Sequence, residues 1–143
     1  MFDRVGRILD PGRDLVLLFI RSATGLFLVY GVIDNVVSPA RMEEFVRFLE
    51  GYGFAPAGFW GPVSVYAQLL CGTGLVLGFA TRVAGLGVTV NFIVAIVMVD
   101  GQAGVRAAFP ALALVMIGLV CVAFGPGRVS LDARFGPGLG RRG

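Results

Sequence analysis

From Leu15 to Ile33 the chain reads LVLLFIRSATGLFLVYGVI, an apolar run of about 19 residues that is long enough, as a helix, to cross ~30 Å of hydrocarbon. One charge interrupts it, Arg21. A guanidinium keeps its proton inside a protein. Placing one in hydrocarbon costs about 2.5–3.5 kcal/mol even on lenient insertion scales. Any fold of this chain has to give that run to lipid and still supply Arg21 with hydrogen-bond acceptors.

The rest of the chain is equally apolar. Hydrophobic residues make up 57% of it and charged residues 15%, too greasy a balance for a soluble globule of this size. Every basic residue is arginine; there is no lysine and no histidine. The missing histidine excludes histidine-held haem, histidine zinc sites and histidine general bases. The arginines are dispersed and form no basic patch interleaved with aromatics, so nucleic-acid binding is not expected. Cys71 and Cys121 form no CxxC pair and no metal-ligand spacing, and read as small buried thiols. The first apolar run is too long for a signal-peptide core and lacks a small-residue cleavage site after it, so it reads as a retained span.

Three more spans follow. Pro62 opens the second, residues 63–80, which is interrupted by Gln68; the third covers 83–99, with Asn91 near its centre; the fourth covers 107–124, with Pro110 in its first turn. Asp34 and Asn35 end the first span. In the connector after it, Ser38-Pro39 is a helix start, with serine as cap and proline at the first helical position. Met42, Phe45, Phe48 and Leu49 recur at helical spacing, predicting a short amphipathic helix over 39–50 that lies on the membrane surface or caps the bundle. Gly125-Pro126-Gly127 stops the fourth span, and residues 126–143 form a polar tail. The expectation is a single all-α membrane domain over residues 1–143. Its four transmembrane helices form an up-down-up-down bundle, with the amphipathic helix in the first, outer connection.

Arginine distribution orients such a bundle. Arg4, Arg7, Arg13, Arg82, Arg128, Arg134, Arg141 and Arg142 fall on one side, and Arg41, Arg47 and Arg106 on the other. The positive-inside rule places both termini in the cytoplasm of a bacterial-type inner membrane.

Helices in lipid associate through small residues and interhelical hydrogen bonds. The second span has a stripe of Ser64, Gln68, Cys71 and Gly72, and the third of Ala84, Gly87, Asn91 and Ala95. The fourth has Ala107, Ala111, Gly118, Cys121 and Gly125, and in the first Asp14, Arg21, Gly25 and Leu28 share a face. These stripes are expected to face one another, with Gly25, Gly72, Gly78, Gly87, Ala111 and Gly118 as packing positions. Gly74 and Gly78 form a second small-residue face suited to a homo-oligomer contact. At 1.5 Å per residue Arg21 lies about 10 Å inside, level with Thr89 and Asn91, while Gln68 lies nearer the outer leaflet. Two destinations are open to Arg21: back toward Asp14 and the headgroups, or inward to Asn91, Thr89 or backbone carbonyls. Tyr30 lies half a turn round the helix from Arg21.

Three pieces of the sequence resemble the DoxX family of small four-span membrane proteins. They are the frame Arg21–Gly25–Gly31, the run Gln68–Gly72–Leu75–Gly78–Arg82, and the ending Gly125-Pro126-Gly127-Arg128-Val129-Ser130-Leu131-Asp132. Together they cover nearly the whole chain. The sequence departs from the family pattern at Tyr30, where many members have histidine, at Asp34, where many have lysine, and at Gln68, where glutamate is usual. A glutamate facing Arg21 would form an intramembrane ion pair; a glutamine can only hydrogen-bond. The resemblance implies an inner-membrane protein of the kind described as an oxidoreductase component, with quinone acceptors or redox partner proteins in some relatives.

The leading expectation is a redox-associated membrane subunit that binds an apolar carrier, such as an isoprenoid quinone, within the bundle. Arg21, Gln68, Asn91, Thr89 and Tyr30 are its candidate ligand-binding residues. The chain offers no metal set and no reactive thiol pair, and its catalytic residues stay unassigned, so a carrier or partner protein has to supply the electron chemistry. The alternative is a non-catalytic scaffold that anchors a partner complex; third is a small lipid-handling or transport protein.

Overall fold

The computed structural model describes the backbone of residues 2–135 and the side chains from residue 12 to residue 135. Arg4, Arg7, Arg141 and Arg142, and the tail beyond Phe135, lie outside the described side chains. Six α-helices follow one another: α1 Phe2–Val37, α2 Pro39–Gly51, α3 Ala57–Leu77, α4 Thr81–Met98, α5 Val105–Phe124 and α6 Leu131–Phe135, with a 3-10 turn, Asp100–Ala103, before α5. No strand occurs among the described residues.

Four of these helices have the length and apolarity to cross a membrane: Gly12–Val37 within α1, then α3, α4 and α5. Their flanks carry large apolar side chains that face outward, among them Phe19, Phe27, Leu70, Val83, Val97 and Leu119. Such a surface is untenable in water and ordinary against acyl chains.

The helix ends differ from expectation in informative ways. Asp34 and Asn35 do not stop α1; it continues to Val37, and Asn35 donates its side-chain N–H to Arg41 O (3.1 Å) across the junction with α2. Ser38 caps α2, its Oγ accepting the Arg41 N–H at 3.5 Å, with Pro39 at the first helical position. Pro62 does not open the second span. That helix begins at Ala57, after Pro56, and Pro62 sits inside it. The first turn of this helix, Ala57–Gly61, packs on α2: a Cβ on Gly61 would stand 2.9 Å from Val46 Cγ2.

Small residues set the helix packing, as close approach in lipid requires. Contacts between α1 and α3 run in opposite senses along the two helices. Arg21 lies against Gly78, and Gly25 against Gly72 and Val76, so that a Cβ on Gly25 would overlap the Gly72 carbonyl oxygen. Between α3 and α4, Cys71 lies against Gly87, and Ser64 meets Asn91. Between α4 and α5, Gly85 lies against Gly118 and Cys121, and Thr89 against Gly118. The core between them is small: Leu28, Leu75, Ala84, Val88, Leu114 and Cys121. α1 and α5 touch only lightly, which leaves a cleft on that flank.

Candidate functional site

Arg21 is buried, with 2% of its surface exposed. Helical side chains lean toward the helix N-terminus, and the long Arg21 stem follows that direction past Gly78 to the chain beyond α5. There its Nη2 donates to the Val129 carbonyl oxygen at 2.7 Å. Nε and Nη1 have no partner among the described residues. Gly78 makes this path possible. It ends α3 in a left-handed conformation (φ 67°), and a Cβ on it would occupy the place of the Arg21 guanidinium.

The segment that receives Arg21 is tied down at three further points. The Asp132 N–H donates to Gly78 O at 2.9 Å. The Asp132 carboxylate accepts the N–H groups of Ala80 (2.7 Å) and Thr81 (2.9 Å). These are unsatisfied donors at the N-terminus of α4, a favourable place for a negative charge. Ala80 has φ 47°, a conformation rare for a non-glycine residue, and the Asp132 bond fastens it there. Farther along, Asp14 accepts the Arg128 N–H at 3.2 Å and faces its Nε at 3.9 Å. Ser130 Oγ accepts the Ala133 N–H at 3.1 Å and so caps α6. One clasp therefore joins the end of α1, the α3–α4 turn and the segment after α5.

The other candidate residues stand apart from this clasp. Ser64 Oγ donates to Asn91 Oδ1 at 2.9 Å, and Gln68 Nε2 donates to Ser64 Oγ at 3.3 Å, a relay between α3 and α4 that lies toward the α2 end of the bundle. Thr89 Oγ1 returns its proton to Gly85 O of its own helix at 2.8 Å, where it packs on Gly118. Tyr30 is 81% exposed on the outer flank. Arg21 thus meets neither Asn91 nor Thr89, and Asp14 turns to Arg128 rather than to Arg21. The residues that do meet Arg21, Gly78 and Val129, carry chemistry only through their backbone. The ending GPGRVSLD was the one signal that pointed to the second half of the clasp.

Cys71 and Cys121 are both free thiols, Cys121 buried in the core. Among the described residues no three of His, Cys, Asp and Glu stand close enough to share a metal ion. The described side chains thus offer hydrogen-bond donors and a fixed charge.

The DoxX family model matches residues 16–101. No curated protein and no solved structure matches the chain. The matched stretch holds Arg21, the Ser64–Gln68–Asn91 relay and Gly78, and it covers more than half of the chain. Carrying four helices fit to span a membrane, the protein belongs to the DoxX family of multi-pass membrane proteins.

Proposed function

We propose that this protein is a non-catalytic membrane subunit that anchors and orders a partner. One observation carries this reading: the polar side chains that bond across the bundle bond to its own chain. Gln68, Ser64 and Asn91 bond one another, and Arg21, Asp132 and Asp14 fix the segment 125–135 against the end of the bundle. Ala133, Arg134 and Phe135 are left facing outward on a short capped helix, a surface suited to a partner protein. Arg13, Arg82, Arg128 and Arg134 gather at this end, which the positive-inside rule assigns to the cytoplasm of an inner membrane. The test is native mass spectrometry of full-length protein extracted in mild detergent, with an organic extract analysed in parallel. A stoichiometric partner subunit that is lost in Asp132→Ala, while the chain still inserts, supports the anchor. A stoichiometric small molecule without a partner overturns it.

A second reading has its own observation. Arg21 keeps Nε and Nη1 free of partners among the described residues in a buried setting, and donors of that kind suit the carbonyl oxygen of an isoprenoid quinone. In this reading the protein is the carrier-holding subunit of a membrane oxidoreductase, and a redox partner performs the electron transfer. A quinone in the organic extract that disappears in Arg21→Leu selects it over the anchor.

A further inference from the structure

A cleft of about 570 Å³ runs down the flank between α1 and α5, at the same end of the bundle as the clasp. Its walls are Val16, Leu17, Ile20, Val120 and Phe124, and Gly12 and Arg13 stand at its mouth. From Gly12 to Ile20 it extends about 12 Å along the helix axis, most of one leaflet's ~15 Å of hydrocarbon. The Arg13 guanidinium is held over the Phe124 ring, 5.0 Å from its centroid, which keeps the charge at the mouth. Arg82 lies against the next residue in the chain, Gly125: a Cβ there would stand 3.2 Å from Arg82 Nε. Both arginines are exposed. Among the described side chains, the acids at this end are Asp14 and Asp132. Asp14 is bound to Arg128, and Asp132 to the N–H groups of Ala80 and Thr81.

We propose that this cleft is a binding site for one anionic phospholipid, its acyl chain lying between α1 and α5 and its phosphate between Arg13 and Arg82. The apolar walls and the cationic mouth meet at the depth where a phospholipid changes from chain to headgroup. A quinone would use the walls and leave the arginines unused. An anionic headgroup uses both. The site is separate from Arg21 and does not depend on the anchor reading.

The test uses full-length protein in mild detergent, titrated with phosphatidylglycerol or phosphatidylcholine of identical acyl chains and read by native mass spectrometry. The unaltered protein should retain one phosphatidylglycerol at about fivefold lower lipid concentration than phosphatidylcholine, the effect of about one surface arginine. Arg13→Gln should weaken that preference, and Arg13→Gln combined with Arg82→Gln should abolish it. Val16→Trp should fill the cleft and lose both lipids; Val16 is 55% exposed, so the larger ring leaves the core intact. Leu26→Trp, exposed on the same helix outside the cleft, should change nothing. Equal retention of the two lipids by the unaltered protein, a preference that survives the double change of Arg13 and Arg82 to Gln, or retention that survives Val16→Trp would each overturn the proposal. So would a co-purified quinone displaced by Val16→Trp.

Discussion

Arg21 uses one of its three nitrogens on Val129 and leaves two without a partner among the described residues. Two magnitudes oppose each other in Arg21→Leu. The change removes an insertion cost of about 2.5–3.5 kcal/mol and forfeits a charge-assisted bond worth about 1.5–3 kcal/mol. The helix should therefore insert at least as well as before, and the damage should appear elsewhere. Released from Arg21, residues 126–132 should become accessible to protease in detergent, with helix content by circular dichroism unchanged. Gly78→Ala attacks the same contact from the other side. It forces a Cβ into the guanidinium and into a left-handed backbone position, so a loss of about 1–2 kcal/mol in thermal stability is expected, measured as a lowered midpoint in detergent. That Arg21 needed a partner was legible from a single charge in an apolar run. Which partner was not legible, because the acceptor is a backbone carbonyl, and every residue has one.

Among the elements, α4 shows best what pattern reading can reach. The stripe Ala84, Gly87, Asn91, Ala95 was visible, and Gly87 and Asn91 do face α3. A helix with two neighbours needs a second close-packing stripe, and Gly85 with Thr89 supplies it toward α5. One stripe per helix was too few for a central position, and glycines are common enough in membrane helices to hide the second. Gly118 is where the α4–α5 contact is tightest, since a Cβ there would overlap Thr89 Oγ1 and stand 2.7 Å from Gly85 O. Gly118→Leu should separate the two helices and cost about 1–3 kcal/mol or more, seen as a lower midpoint and as faster alkylation of Cys121. At the N-terminus of α4, Asp132→Ala removes a cap contributed from a distant part of the chain. A loss of about 1 kcal/mol is expected, and Asp132→Asn should recover part of it, because an amide oxygen still accepts.

For the whole molecule, the number of spans, their order and the position of α2 were read from hydropathy, caps and prolines, all local signals. Contacts between distant segments were not: the clasp joins residues 14, 21, 78–81 and 126–132, and only a resemblance in the ending hinted that the last of these mattered. The arginine-rich ends give a prediction at this scale. A reporter that is active only in the cytoplasm should be active when fused after Phe135 and inactive when inserted at Gly51, between α2 and α3. The opposite pattern would invert the assigned orientation.

The clasp also has a consequence in time. A membrane helix enters the bilayer as it leaves the ribosome, and α1 leaves first. Arg21 therefore waits in lipid for Val129, made 108 positions later, and the α3–α4 turn waits for its cap, Asp132, made 52 positions after Ala80. A chain cut short after Phe124 would hold all four spans and still have a charge with no acceptor.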